Sequence, residues 1–336
     1  MDEAKYYNAL NLFYKGTYSK LAKAVERWGS WQQAWAEEKN KDIDADKEWD
    51  RLLDMGISVA LRADPAYSPF LREAPLAPHG IYFFGSIDYN HPSIAIVGTR
   101  MATPQGKDLA RTFARKLGNA GFVVISGLAM GIDEAAHKGV LEAGGKTLAV
   151  LGTSLDNIYP KQNKGLADDI LKSGGAIISE YPLGQEYYPQ NFLIRNRIIS
   201  GLAQAVLVIE APEKSGALAT ARFALDQNRE VFVLPGNANS PNYKGSNALI
   251  KAGAALVDSV EDIMNSLGVE NNQTAVKSDG NEDPIITALK KNGGELSADK
   301  LAENLGSDIG SVNKNLAMLV IKGIIKEVNG KYYLDS

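Results

Sequence analysis

Two arginines bracket an asparagine at Arg195-Asn196-Arg197, inside the run PQNFLIRNRIISGL that ends at Leu202. A guanidinium fork suits phosphate oxygens, because parallel N–H donors meet paired acceptors. A third arginine, Arg100, directly follows Gly98-Thr99 at the end of an apolar run, and Lys244 precedes Gly245-Ser246-Asn247. Lys161, just after Tyr159-Pro160, is a further cation. Phe192, Tyr187, Tyr188 and Tyr159 lie close to these cations in sequence. An aromatic face beside an arginine is what stacking of a single-stranded base requires. For Phe192, stacking and ordinary packing stand level. For the three tyrosines, packing beneath a loop is preferred. Arg197 has a rival reading as the salt-bridge partner of Glu180 or Glu210, which is preferred to binding. For Arg100, binding is preferred.

Glycine-containing turns punctuate the middle of the chain. They are Gly98-Thr99-Arg100, Ser126-Gly127 through Gly131, Gly152-Thr153-Ser154, Ser215-Gly216-Ala217 and Pro235-Gly236-Asn237. Glycine permits close backbone approach, and N–H groups at helix starts bind phosphate. Any one of these turns is explained by a tight strand-to-helix connection. Several converging on one sheet edge point to a phosphate-bearing ligand. Neither GxGxxG after the first strand nor GxxxxGK[ST] occurs, so a dinucleotide fingerprint and a P-loop are both missing.

Catalytic material is sparse. The histidines are His79, His91 and His137, none spaced with another for a metal. His137 reads as a helix-surface or packing residue, and Asp133 as a helix cap. There is no cysteine, which excludes disulfides and thiolate chemistry. No GxSxG occurs. No cofactor or metal is expected, but catalytic groups distant in sequence leave an enzyme open at this point.

The elements that must position these residues are legible from periodicity. Ser93–Val97, Phe122–Ile125, Thr147–Leu151, Ala176–Ser179, Ala205–Ile209 and Glu230–Leu234 read as strands, with helices between them, such as 106–120, 132–143 and 218–226. Continuous apolar strands alternating with helices predict a parallel sheet covered on both faces. The fold class is α/β, a Rossmann-like doubly wound sheet whose glycine turns fall at the carboxyl edge. Residues 1–60 read as a small helical domain of the SAM or helix-hairpin-helix kind, and 61–265 as the α/β domain with its leading segment, in which 64–84 is a connection. Residues 266–283 are polar and lack periodicity, as a linker would. Residues 284–336 give three helices and a strand–Asn329-Gly330–strand hairpin, the order of a winged helix.

The 336-residue chain carries a formal charge of −4, and the central residues 85–265 hold 17 Lys and Arg against 17 Asp and Glu. A nucleic-acid site must therefore be a local cluster of cations. The third helix of the C-terminal segment carries few cations, Lys314 and Lys322 against Asp308, which favours a protein-contact role over duplex reading. The N-terminus lacks the pattern of a signal peptide and no apolar run reaches membrane-spanning length, so a cytoplasmic protein without membrane contact is expected.

The ordered set DPAYSPFL, IYFFGS, IAIVGTR, SGLAMGIDEAAHKG, LAVLGTSLDNIYP, ISEYPLG, FLIRNRIISGL, SGALATARFAL, VFVLPGN and GSNALIKAGA resembles the DNA-processing protein A family, also called DprA or Smf. The resemblance spans about 200 residues, Asp64 to Asp262. It implies a non-enzymatic protein that binds single-stranded DNA and loads the RecA recombinase in natural transformation and homologous recombination. A homodimer is implied, with single-strand-binding protein as a further partner. Carried over, the strand-binding pocket comprises Gly98, Thr99, Arg100, Ser126, Gly127, Lys161, Phe192, Arg195, Asn196, Arg197, Ser215, Gly216, Lys244 and Gly245. Leu193 stands where many relatives carry proline. The alternative is a nucleotide-processing enzyme related to the lysine-decarboxylase-like phosphoribohydrolases. Their PGGxGT motif and following glutamate are not matched by Lys214-Ser215-Gly216-Ala217-Leu218-Ala219-Thr220.

Overall fold

The computed structural model describes residues 2–39, 41–269, 284–292, 294–321, 324–328 and 330–334. Most of the expected linker, 270–283, together with Lys322 and Asn329 of the C-terminal segment, lies outside the described residues. The chain forms two compact units, 1–271 and 272–336.

In the first unit, helices α1 (Asp2–Phe13), α2 (Tyr18–Trp28), α3 (Trp31–Glu37) and α4 (Ala45–Asp54) precede strand β1 (Ser58–Leu61), helix α5 (Pro69–Glu73) and strand β2 (Gly80–Gly85). The doubly wound core follows as β3 (Ser93–Val97), α6 (Pro104–Asn119), β4 (Val123–Ser126), α7 (Ile132–Glu142), β5 (Thr147–Val150), α8 (Lys164–Lys172), β6 (Ala176–Ser179), α9 (Pro189–Leu202) and β7 (Ala205–Val208). It closes with α10 (Gly216–Asp226), β8 (Glu230–Val233), α11 (Lys244–Lys251), β9 (Ala255–Leu256) and α12 (Val260–Ser266).

The sheet order is β1-β2-β6-β5-β4-β3-β7-β8-β9. Every pairing from β6 to β9 is parallel, and β1 and β2 extend one edge antiparallel. The fold is therefore α/β with a mostly parallel sheet. Residues 58–61 and 80–85, read from sequence as helical domain and connection, are instead strands, β1 at the sheet edge and β2 between it and β6. The run Ile81–Phe84 hid its period because its side chains are covered or half covered on both faces.

Alternation within β3 shows why so apolar a strand is needed. Ala95 and Val97 join a core with Ile198 and Leu202 of α9 and Ala221 of α10. Ile94 and Ile96 face the other layer, with Phe113 of α6, Val140 of α7 and Ile263 of α12. Deleting such a buried side chain costs about 2–5 kcal/mol. The N-terminal helices pack in a further core with Ala149, Leu151 and Ile177 of the sheet side and with Ile170 of α8. Because β3 pairs β4 on one side and β7 on the other, the chain reverses direction across the sheet there. A crevice opens at the carboxyl ends of two such diverging strands.

The second unit has α13 (Pro284–Lys291), β10 (Glu295–Ser297), α14 (Ala298–Leu305), α15 (Ile309–Ile321), β11 (Ile325–Val328) and β12 (Lys331–Leu334). Its antiparallel sheet runs β10-β12-β11 around a core of Leu289, Leu301, Leu316 and Ile325. Ser297 caps α14, and Gly306 ends it in the left-handed conformation. Among the described residues no helix is long and apolar enough to cross a membrane.

Candidate nucleic-acid interface

The β3–β7 reversal carries a cleft of about 400 Å³. Its walls come from the β3–α6 turn (Gly98, Thr99, Arg100, Met101), the start of α9 (Phe192, Leu193, Arg195, Asn196) and the β7–α10 turn (Lys214, Ser215, Gly216). Among its lining residues the charged groups are Arg100, Arg195 and Lys214 against Asp133, three cations to one anion. This local excess supplies what the neutral central domain lacks.

The loop carrying Arg100 is held rigidly from behind. Thr99 N–H donates to the carbonyl of Glu210 at 2.7 Å, and Thr103 N–H donates to the Glu210 carboxylate at 2.9 Å. Asn242 Nδ2 donates to the other carboxylate oxygen at 3.1 Å. Glu210 is thus a buttress of the cleft and takes no part in pairing Arg197. A Cβ on Gly98 would meet Ile132 at 2.4 Å, so only glycine fits between β3 and α7. Thr103 caps α6, with Pro104 in its first turn.

Arg100 itself is exposed, and its guanidinium lies 5.4 Å from the centre of the Phe192 ring. Such a pair presents a π face and a cation side by side. Phe192 in turn touches Tyr159 and Tyr187, with ring centres 5.3 and 5.9 Å away, and those two tyrosines are 5.4 Å apart. Tyr159 and Tyr187 are more than a third exposed. Two of the three tyrosines expected to pack beneath a loop, Tyr159 and Tyr187, are therefore part of a surface cluster continuous with Phe192. A Cβ on Gly152 would lie 2.7 Å from Phe192, so this turn glycine makes room for the ring.

The floor of the cleft is different. Arg195 is buried, and its Nη1 donates to the carbonyl of Gly127 at 2.9 Å and to that of Val150. Burial lowers its pKa to about 10, with Arg100 also pushing down and Asp133 pushing up. It remains a cation at neutral pH and contributes field more than donors. Asp133 lies within the first turn of α7, beyond the helix cap at Gly131. Its carboxylate accepts from Gly127 N–H at 3.1 Å, and burial raises its pKa against the opposing pull of Arg195. The capping reading of Asp133 gives way to one in which it and Arg195 clamp the Gly127 peptide from both ends.

The sequence-derived set divides accordingly. Gly98, Thr99, Arg100, Phe192, Arg195, Asn196, Ser215 and Gly216 line the cleft. Asn196 Nδ2 donates to the Gly216 carbonyl at 3.2 Å, tying α9 to α10, and Ser215 caps α10. Arg197 does not reach the cleft and forms a buried ion pair with Glu180 at 2.5 Å. Ser126 is buried, and its hydroxyl donates to the Ile96 carbonyl at 2.7 Å. Gly127 is held by Arg195 and Asp133. Neither Ser126 nor Gly127 lines the cleft. Gly245 packs on the Ala211 and Pro212 carbonyls, and Lys244 and Lys161 are exposed outside the cleft lining. Lys214 escapes the sequence reading, although it precedes the Ser215-Gly216 turn that signals the site. Of the turn glycines, Gly98, Gly127, Gly152 and Gly236 would each place a Cβ within 2.7 Å of protein atoms, whereas Gly216 has nothing nearer than 3.8 Å. Only Gly216 combines the cleft with open space. His137 is buried against Thr147 at 2.8 Å, a packing residue.

Residues 58–268, more than half of the chain, match the model of the family described as DNA recombination-mediator protein A. The chain belongs to this family. Protein Smf of Escherichia coli K12 is 38% identical over 277 residues, covering 79% of this chain and 74% of that protein. Protein Smf of Synechocystis is 45% identical over 210 residues, covering 61% of this chain and about half, 52%, of that protein. The X-ray structure of DNA processing protein A from Streptococcus pneumoniae superposes with a TM-score of 0.66 at 33% identity, over 77% of this chain and 97% of that one. A structure of DNA processing protein A from Helicobacter pylori, described for its single-stranded DNA binding mode, gives 0.57 at 31% identity over 63% of this chain and 95% of that one. As a family member, the chain places its matched segment from β1 through α12 on the sheet that bears the cleft.

Proposed function

We propose that this protein binds single-stranded DNA across the β3–β7 cleft and, through that activity, delivers the strand to a RecA-type recombinase. The carrying observation is the exposed Arg100 over the Phe192 ring, beside Lys214 and the open Gly216 turn. Phosphates would lie against Arg100, Lys214 and the N–H groups at the start of α10, where the helix dipole favours an anion. A base would stack on Phe192. The family membership and the Helicobacter pylori relative's single-strand binding support this reading. It extends to a cytoplasmic homodimer that is not an enzyme, with single-strand-binding protein as a further partner. It also assigns residues 284–334 as a winged helix, from their helix–strand–helix–helix–strand–strand order. The nucleotide-enzyme alternative gains no support, since the one carboxylate lining the cleft is engaged by Gly127.

Fluorescence-anisotropy titration of labelled oligothymidylate against a duplex of equal length, at low and moderate salt, tests it. The expected result is salt-sensitive binding with preference for the single strand, weakened by about 1–3 kcal/mol in Phe192→Ala. Equal binding of strand and duplex, or none by a folded protein, overturns the reading.

A further inference from the structure

A second cavity of about 440 Å³ adjoins the aromatic cluster, and Tyr187 belongs to both. Its chemistry is opposite to that of the cleft. No lysine or arginine lines it; Ser154, Asp156, Asn157, Glu186 and Tyr188 do, with Tyr187. A phosphate would meet carboxylates there, so the cavity repels the strand's backbone. It suits a planar, neutral group rich in N–H donors.

Two further facts point to a ligand. Ser154 is 1% exposed, and its buried hydroxyl oxygen has no hydrogen-bond partner. An unmatched buried hydroxyl is destabilising unless something supplies the bond. Glu186 is exposed; Tyr188 OH donates to its Oε2 at 3.1 Å, and Oε1 takes no bond among the described residues. Asp156 is already committed, accepting from Gly184 N–H at 3.0 Å and pairing with Arg51 at 3.5 Å.

We propose that this cavity is a base-reading subsite that takes a guanine from the bound strand, its N1–H and N2 amino donors on the Glu186 carboxylate and its ring against Tyr187 or Tyr188. The inference rests on the strand-binding reading above. The backbone would cross the cationic cleft, step over Phe192 and Tyr187, and present a base to the acidic side. Guanine fits best because its Watson–Crick edge offers two adjacent donors to one carboxylate. Thymine and cytosine cannot match that pair, and single-stranded bases are read on this edge.

The test compares the affinity of oligothymidylate with that of the same strand carrying one dG, and separately one dA or dC, by competition anisotropy. The expected outcome is about tenfold tighter binding of the dG strand than of the others, the scale of one bidentate base contact. In Glu186→Gln the ratio of dG to dT affinity should fall to near one, and in Ser154→Ala and Tyr188→Ala it should shrink, with melting curves confirming the fold. Equal affinity for all four strands overturns the subsite while leaving strand binding intact. A dG preference that survives Glu186→Gln and Tyr188→Ala also overturns it, by placing the preference elsewhere. No binding of oligothymidylate at all would instead sink the strand-binding reading itself.

Discussion

Arg100 and Arg195 line one cleft and do different work. Arg100 stands at the rim, exposed, with an aromatic ring as its neighbour. Arg195 lies in the floor, buried, bonded to two main-chain carbonyls that end β4 and β5. Arg197, two residues on, leaves the cleft altogether for Glu180. One residue type thus serves recognition at the rim and construction in the floor. An arginine in a motif is a ligand contact only where its donors have not already been matched by the protein.

The sharpest way to break this contrast is to remove the floor. Arg195→Ala leaves Asp133 buried without its opposing cation and two carbonyls without their donor. Arg197→Ala leaves Glu180 in the same position. Breaking a buried charge pair from one side costs about 3–5 kcal/mol. In a unit of this size that is a fall of roughly 10 °C in melting temperature. Differential scanning calorimetry without DNA reads it directly. If either variant melts like the parent while losing DNA binding, that arginine is a recognition residue and the division fails.

Much of this is legible in the sequence, and what is not has a physical pattern. The parallel strands and their helices announce themselves by continuous apolar runs, and β6 matches its expected bounds residue for residue. Strands β1 and β2 escape because β1 is short and partly exposed and β2 is covered or half covered on both faces, so neither shows clean alternation. The placement of Arg100 is legible because a cation at the end of a sheet strand can face only the carboxyl edge. The pairing of Arg197 with Glu180 is legible too, as the reading preferred to binding; the burial of Arg195 in the floor is not, because it depends on helix phase. Successive residues on α9 are turned by about 100°, so Arg195 reaches β4 and β5 while Arg197 meets Glu180. The tyrosines defy the sequence reading because their exposure depends on a loop conformation that composition does not encode.

The same contrast should appear on titration. Burial pushes His137 down to about 3, and His79 to about 4. In the unfolded chain a histidine titrates near 6.5. Below that pH the unfolded chain binds protons that the folded one does not, so stability is complete above about pH 6.5. It declines as the pH falls towards the folded values. At pH 5 the fully buried His137 alone accounts for about 2 kcal/mol. Melting temperature should therefore drop between pH 6.5 and 5, and the slope should be shallower in His137→Gln. A parent whose melting temperature is flat across this window would show that neither histidine is held neutral by burial. Neither histidine lines the cleft, so strand affinity of the folded protein should change little over the same range.

The smallest effect belongs to the rim. Arg100→Ala removes no intramolecular hydrogen bond among the described residues and should leave the melting temperature within about 1 °C, as surface substitutions usually do. Its signature is in salt dependence. Each phosphate neutralised contributes about 0.7 to the slope of log affinity against log salt for a single strand. The variant should lose that increment and bind a few-fold more weakly at moderate salt, to the same degree for every sequence. Lys214→Ala should do the same, and the two losses should add if each cation meets its own phosphate. Losses that do not add would mean the two side chains share one phosphate. An unchanged slope in both variants would remove the rim from the binding path and leave the buried Arg195 as the cleft's source of positive field.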